Sequence, residues 1–207
     1  MVRAIIFDFG IVLATFDKES ACERFAKYCK KSASEIYREL VGSDLEKALE
    51  SGVITPEDFA LSVIDLIGAQ ELTQEDCLTM WGDMFRTNPG MTDLLRDLHE
   101  RNIPMVVLST TNAVHWPYIR KLDAIQLLEN WNVPFVLSHI EKALKPESRL
   151  FMAALDKLKS APDETVFVDD LPENIEAARK LGVQAIPYDC RKQPIDYLRD
   201  QLYRVLA

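Results

Sequence analysis

The stretch IIFDFGIVLATFD, residues 5–17, decides the fold. A short apolar, β-prone run leads directly into an aspartate, Asp8, and a glycine, Gly10, follows two positions later. A buried strand that ends in a carboxylate at a turn is well suited to presenting a nucleophile. The stretch therefore predicts a buried first strand over residues 3–9 and a chemical role for Asp8.

The composition indicates an ordinary globular protein. The chain has 207 residues, of which 48% are hydrophobic and 28% charged, with a net charge of −9. This length predicts one large domain, or one core domain with an insertion, and it is enough to bury a core. Because an acidic chain is repelled by nucleic acid and by anionic membranes, we expect neither as a partner.

The N-terminal segment and the cysteines indicate a cytoplasmic protein. Residues 1–10 resemble no signal peptide, and no stretch approaches the length of a membrane span. Cys22 and Cys29 lie on a predicted helix, about 10 Å apart along its axis, which is too far for a disulfide. The four cysteines also fit no metal-binding spacing. We expect reduced thiols, a cytoplasmic location, and a monomer or weak dimer.

The residues after the first strand are predicted to be almost wholly helical, over 18–86. Capping boxes begin helices at Ser32 and Ser43, and Thr55 precedes a proline, Pro56, at a first helical position. A long helical segment directly after a buried strand predicts a helical insert in an α/β core. We place this insert at residues 17–87 and the core at residues 1–16 and 88–207.

From about residue 92 short apolar strands alternate with helices. The predicted strands are 105–109, 135–138, 165–170 and 183–187, and one last helix spans 194–206. This alternation is typical of an α/β protein with a parallel sheet covered by helices on both faces.

Chemically active side chains follow the predicted strands. Asp8, Ser109 and the pair Asp169–Asp170 lie where strands end, and Lys145 lies in the loop before a helix. Open parallel sheets bind ligands beyond the carboxyl ends of their strands. Three carboxylates would repel one another without a cation, and an all-oxygen set suits Mg²⁺. Each residue alone has a structural explanation, such as capping, but their common position indicates a site for an anionic substrate.

Four segments carry a resemblance to the haloacid dehalogenase-like hydrolase superfamily. They are IIFDFG, VVLSTTN, KPESRLF and VFVDDLPENIEAARKLG, and they are spread over nearly the whole core. The resemblance implies a Rossmann-like core, and the helical insert lies where the superfamily has its C1-type cap. Within the superfamily, the motifs FDFG, LSTTN, KPE and FVDD are most similar to the sugar-phosphate phosphatase branch that includes α-D-glucose-1-phosphate phosphatases.

The resemblance implies a role for each matching residue. Asp8 would be the nucleophile that forms an aspartyl-phosphate, which water later hydrolyses. Ser109 and the backbone around Thr110 would hold the phosphoryl oxygens. Lys145 would bridge the nucleophile and the phosphate and stabilise developing charge.

The resemblance also implies a magnesium site. Mg²⁺ would be held by Asp8, the backbone carbonyl of Gly10 and Asp170, with Asp169 bound directly or through water. The expected function is Mg²⁺-dependent hydrolysis of a small phosphorylated metabolite, with a sugar phosphate as one candidate.

Gly10 departs from the superfamily pattern. Most phosphatases of the superfamily carry a second aspartate there, which protonates the leaving oxygen and then activates water. Gly10 has no side chain for either step, and the following Ile11 stands where glycine is commoner. A missing general acid–base costs about 10²–10⁴-fold in rate. One explanation is a left-handed backbone at Gly10 that only glycine tolerates.

Three functions remain open at this point. In a phosphatase, an anomeric leaving group would need little acid, or a cap residue or His115 would supply the proton. A 2-haloacid dehalogenase would need neither acid nor Mg²⁺, but the chain keeps both Asp169 and Asp170. A non-catalytic binding protein on the same fold would explain Gly10, but not the otherwise complete set of site residues. The phosphatase is the preferred interpretation.

Overall fold

A five-stranded parallel sheet forms the core of the protein. The structure is a computed structural model, and it describes residues 2–206. The strands are β1 Ala4–Phe7, β2 Ala14–Phe16, β3 Phe85–Thr87, β4 Met105–Ser109, β5 Phe135–Leu137, β6 Thr165–Asp169 and β7 Gln184–Pro187. The order in the sheet is β5-β4-β1-β6-β7, and β2 and β3 form a separate antiparallel ribbon.

Helices cover both faces of this sheet. Between β2 and β3 lie α1 Lys18–Phe25, α2 Ala33–Leu40, α3 Asp44–Glu50, α4 Pro56–Ile67 and α5 Gln74–Gly82. After β3 come α6 Met91–Glu100, α7 Trp116–Ile119, α8 Asp123–Asn130, α9 Ser138–Glu141, α10 Ser148–Leu158, α11 Pro172–Lys180 and α12 Ile195–Leu206. The predicted α/β architecture with a helical insert after the first strand is confirmed.

The register of β1 brings the strand ends together. Phe7 pairs with Val107 of β4 on one side and with Val168 of β6 on the other. Alternate residues of β1 enter separate apolar clusters, since Ile5 and Phe7 pack on one face and Ile6 on the other. The residues that follow these central strands therefore lie at one edge of the sheet, as the sequence predicted.

The ribbon of β2 and β3 is a feature that the sequence analysis missed. Ala14 pairs with Thr87 and Phe16 with Phe85, so the ribbon joins the chain where it enters and leaves the helical segment. The prediction of helix throughout residues 18–86 is wrong for β3. Strands of three residues are too short to display an alternating pattern that could be recognised from sequence.

The cysteines, the helix N-termini and the lengths of the apolar helices complete the description of the fold. All four cysteines are free thiols. Ser32, Ser43 and Thr55 are N-cap residues, since each accepts a backbone N–H bond at a helix start. The predicted capping box forms at Ser32 but not at Ser43, because the Glu46 carboxylate accepts the backbone N–H of Gly42 instead. Across residues 2–206, the structure contains no helix that is both long enough and apolar enough to cross a membrane.

Candidate active site

Lys145 joins two buried carboxylates at the carboxyl edge of the sheet. Its Nζ lies 2.5 Å from Asp8 Oδ1 and 2.7 Å from Asp169 Oδ2. Asp8 directly follows β1, Asp169 ends β6, and Lys145 precedes α10. The three side chains are at most 9% exposed, so this ion-paired group is held in a largely dry environment.

Asp169 is fixed by further hydrogen bonds. Asn174 Nδ2 lies 3.0 Å from each of its carboxylate oxygens, and the backbone N–H of Leu171 donates to Oδ1 at 2.8 Å. Asn174 lies in the first turn of α11, inside the segment that carries the family resemblance. It was absent from the predicted site, because the sequence does not show which polar side chain of this helix contacts Asp169.

Asp8, Asp169 and Asp170 form a candidate metal site. One oxygen from each carboxylate can be chosen so that all three lie within 4.8 Å of one another. Burial raises the pKa of Asp8 to about 7, with the charge of Asp169 adding to the effect and Lys145 opposing it. Burial also raises the pKa of Asp170 to about 6. Crowded, desolvated oxygen ligands of this kind fit a hard divalent cation such as Mg²⁺.

The loop after β4 offers polar atoms close to this cluster. Ser109 Oγ is buried and, among residues 2–206, has no hydrogen-bond partner. Thr110 lines the cavity that Asp8, Lys145 and Asp170 also line, whereas Ser109 is not among its lining residues. The hydroxyl of Thr110 also accepts the backbone N–H of Lys145 at 3.3 Å. Ser109 ends β4, the strand next to β1, so its buried hydroxyl leaves a hydrogen-bond donor free for an oxyanion at this edge of the sheet.

A cavity of about 300 Å³ opens above the predicted residues. Core residues around it include Asp8, Gly10, Lys145 and Asp170, and the cap contributes Glu50 from the end of α3. A smaller cavity of about 60 Å³ shares Gly10, Phe16, Glu50 and Thr110 with the larger one. The site therefore consists of a charged chamber and a small neighbouring recess, and residues of the helical insert contribute to both.

Gly10 is not required by a left-handed backbone, which corrects one explanation offered from the sequence. The positive φ belongs to the next residue, Ile11, at 59°. A Cβ atom on Gly10 would lie 3.0 Å from Cε1 of Phe16, close enough to require a small shift of that ring. Gly10 therefore leaves room for the ring of Phe16. The left-handed backbone conformation, which glycine would favour, is adopted by the β-branched Ile11 instead.

His115 is unsuited to donating a proton at neutral pH. Its ring is buried in the smaller cavity, and Nδ1 lies 3.0 Å from Asn112 Nδ2. Burial, assisted by the nearby charge of Lys18, lowers the pKa of His115 to about 3. A neutral imidazole can contact a substrate by hydrogen bonding, but the proton for a leaving group has to come from elsewhere.

The chain belongs to the haloacid dehalogenase-like hydrolase family, whose sequence profile matches residues 2–182. It is therefore a hydrolase, and the resemblance found in its motifs is confirmed.

Individual relatives are phosphatases of small metabolites. The chain is 26% identical over 188 residues to the D-ribitol-5-phosphate phosphatase of Bacteroides thetaiotaomicron, covering 89% of this chain and 90% of the relative. It is also 26% identical over 192 residues to a phosphorylated carbohydrates phosphatase of Thermotoga maritima, covering 89% and 84%.

Solved structures show the same architecture. A haloacid dehalogenase-family enzyme of Bacteroides thetaiotaomicron, solved with magnesium and inorganic phosphate, superposes with a TM-score of 0.82 at 25% identity, covering 96% of this chain and 100% of that one. An L-2-haloacid dehalogenase of Xanthobacter autotrophicus shares the fold alone, with a TM-score of 0.66 at 14% identity over 100% of this chain and 85% of that one.

Proposed function

We propose that the protein is a Mg²⁺-dependent phosphomonoester hydrolase that acts on a small phosphorylated metabolite of the polyol or sugar class. The observation that carries the proposal is the Lys145 ammonium placed between Asp8 and Asp169, beside the third carboxylate, Asp170. The phosphatase relatives named for phosphorylated carbohydrates support the substrate class.

In the proposed reaction the Asp8 carboxylate attacks the phosphorus atom in line with the leaving oxygen. The bond from phosphorus to the leaving oxygen breaks, and an aspartyl-phosphate forms. Lys145 keeps Asp8 oriented and stabilises charge on the phosphoryl group as it moves. Ser109 and Thr110 hold phosphoryl oxygens. Water then attacks the aspartyl-phosphate, which releases inorganic phosphate and restores Asp8.

The residues that would hold the magnesium ion are Asp8, Asp170 and the carbonyl oxygen of Gly10, with Asp169 bound directly or through water. When bound, the ion neutralises phosphate charge and orients the group for in-line attack. The mutual approach of the three carboxylates within 4.8 Å, with a single ammonium between two of them, supports this assignment.

We also propose that residues 17–87 form the cap domain and residues 1–16 and 88–207 the core. The core would carry out phosphoryl transfer, and the cap would select the leaving group. The recess of about 60 Å³ next to the charged chamber favours a leaving group of few carbon atoms. Lys18, His115 and Glu50 give this recess polar groups that suit hydroxyls.

A substrate panel tests the proposal. Purified protein is assayed with polyol phosphates, sugar phosphates and aryl phosphates, with 2-haloacids alongside, in Mg²⁺ or in EDTA. We expect phosphate release that requires Mg²⁺ and no halide release. Halide release in EDTA would identify a dehalogenase, and an absence of either product would support a non-catalytic binding protein.

Asp8→Asn supplies the control for this panel. The amide is nearly isosteric with the carboxylate but is a poor nucleophile, so turnover should fall by roughly 10⁴–10⁶-fold while the fold is kept. Circular dichroism checks the fold. Near-native turnover in Asp8→Asn would show that the nucleophile lies elsewhere.

A further inference from the structure

Glu50 is the acidic side chain that the cap presents to the region around Gly10. It is the last residue of α3, and it lines both the larger chamber with Asp8 and the smaller recess with His115. A leaving group that extends from phosphorus at Asp8 into the recess passes the point where these spaces meet. Gly10 has no side chain that could donate a proton there, whereas Glu50, which lines both cavities together with Gly10, carries a carboxyl group.

Hydrogen bonds on both sides of Glu50 tie this part of the cap to the core. The hydroxyl of Ser138 donates to the backbone carbonyl of Glu50 at 2.6 Å. Two residues later, the ammonium of Lys142 donates to the carbonyl of Gly52 at 2.5 Å. The backbone that carries Glu50 is thereby fixed relative to the strand ends, which is a requirement for accurate proton transfer.

The carboxyl of Glu50 has properties suited to exchanging protons near neutral pH. It is half-buried and, within residues 2–206, forms no ion pair, because the neighbouring Lys18 ammonium pairs with Glu46 Oε1 at 2.6 Å. Burial raises the pKa of Glu50 to about 7, the charge of Glu46 adds to the rise, and Lys18 and Lys47 oppose it. Other titratable or charged groups lining the two cavities are Asp8, His115, Lys145, Asp170 and Glu173.

We propose that Glu50 is the general acid and base that replaces the side chain missing at Gly10. As the Asp8 oxygen bonds to phosphorus and the bond from phosphorus to the leaving oxygen breaks, the Glu50 carboxylic acid gives its proton to that oxygen. The Glu50 carboxylate then takes a proton from the water that attacks the aspartyl-phosphate. The bond between phosphorus and Asp8 breaks, and both carboxyl groups return to their starting states.

The first test is the leaving-group dependence of Glu50→Gln. This inference rests on the proposed phosphatase function, so the assay uses kcat/KM for phosphomonoesters of graded leaving-group pKa. An activated 2,4-dinitrophenyl ester departs without a proton, whereas a polyol phosphate needs one. We expect kcat/KM of Glu50→Gln to fall about 10²–10⁴-fold for polyol phosphates and less than about threefold for the activated ester.

The second test is the pH profile. A general acid is active when protonated, so kcat/KM of the wild-type enzyme for a polyol phosphate should fall as the pH rises above about 7. This basic limb should be absent in Glu50→Gln. Lys145 does not produce such a limb, because its two carboxylate partners hold the pKa of its ammonium above the usual range despite its burial.

Glu46→Gln is the matched control, since Glu46 lies one turn earlier on α3 and outside both cavities. Removing its charge should lower the pKa of Glu50 and move the basic limb to lower pH, because the charge of Glu46 contributes to the raised value. The dependence on leaving-group pKa should remain close to that of the wild-type enzyme. If Glu46→Gln and Glu50→Gln changed the dependence of kcat/KM on leaving-group pKa in the same way, the proposal would be overturned.

Failure of this inference is distinguishable from failure of the phosphatase function. If Glu50→Gln slows activated and polyol esters by the same factor, or slows neither, Glu50 is not the proton donor, although the enzyme is still a phosphatase. If neither the wild-type enzyme nor Asp8→Asn releases phosphate from any ester, the phosphatase proposal itself is wrong. Selective loss on polyol phosphates, together with loss of the basic limb, supports the assignment.

Discussion

At the residue scale, Lys145 places one ammonium between two buried carboxylates. Its Nζ contacts Asp8 and Asp169 while its side chain is only 4% exposed. Neither acid has another lysine or arginine as an ion-pair partner within residues 2–206. The charge of Lys145 therefore serves the stability of the site as well as the handling of phosphate.

We predict that Lys145→Met lowers both stability and turnover. Removing one partner of a buried ion pair should destabilise the fold by about 3–5 kcal/mol, because the remaining charges are unpaired. Loss of charge stabilisation should lower kcat/KM by about 10²–10³-fold. Denaturant unfolding and steady-state kinetics measure the two effects. A variant of unchanged stability and activity would contradict the assigned role of the ammonium.

A second prediction concerns the room beside Gly10. Gly10→Asp, introduced into the Glu50→Gln background, should restore part of the lost kcat/KM on polyol phosphates. The backbone at residue 10 permits a side chain, and Phe16 has to move by only a few tenths of an ångström. Gly10→Asn has the same size without the acid and serves as the control. Equal recovery by both variants would show that the aspartate does not act by donating a proton.

Sequence reasoning identified the site residues that follow the core strands and missed those that depend on packing. Asp8 and Asp169 could be predicted from the sequence because each follows a continuous apolar run that is typical of a buried strand. Asn174 is a polar residue on a helix, and only the structure shows that it contacts Asp169. Glu50 was not predictable, because no pattern in the cap sequence reveals which helix end docks beside Gly10.

Among the elements, α3 of the helical insert packs against α9, which follows β5 of the sheet. Gly52 follows α3, with φ of 63°, and a Cβ atom there would collide with the carbonyl oxygen of His139 and with the ammonium of Lys142. The close approach requires glycine for space as well as for its backbone conformation.

We predict that Gly52→Ala weakens this docking and lowers kcat/KM for polyol phosphates. Gly42→Ala is the matched control, because Gly42 also lies in the helical insert with a positive φ of 75° but has open space where the Cβ would lie. In both variants, alanine at a positive φ should lower the free energy of unfolding by about 1 kcal/mol. In Gly52→Ala, the collision of the new Cβ atom should lower it further. Thermal unfolding and kinetics separate the two contributions. Equal losses in both variants would refute a specific role for the docked interface.

The accuracy of sequence prediction also differed among elements. The central strands β1, β4 and β6 are fully buried and were recognised as continuous apolar runs. The segment between β4 and β5 forms two helices, α7 and α8, because Leu122 between them is extended with ψ of 137°. The ribbon of β2 and β3 forms by pairing between segments that are distant in the sequence. Two segments of three residues each carry too short a pattern for this pairing to be recognised from the sequence.

At the scale of the whole molecule, the three crowded carboxylates should couple magnesium binding to stability. We predict that saturating Mg²⁺, near one hundred times its dissociation constant, stabilises the fold by about 2.7 kcal/mol, or roughly 5–10 °C in Tm. Asp170→Asn should reduce this shift, whereas Asp163→Asn, on the exposed surface, should leave it unchanged. Differential scanning calorimetry provides the measurement. An undiminished shift in Asp170→Asn would place the ion elsewhere.

The position of β1 in the sheet also has a consequence for the order of assembly during synthesis. Ile5 is made first, but its partners Met105 and Val166 emerge about 100 and 160 residues later. At 5–20 residues per second, the ribosome needs on the order of 8–30 seconds to deliver the second neighbour. The helices between β2 and β3 rely on nearby contacts and are complete well before then. The central strand therefore stays unpaired and apolar during this interval, and we expect the nascent chain to be prone to aggregation until β6 has left the exit tunnel.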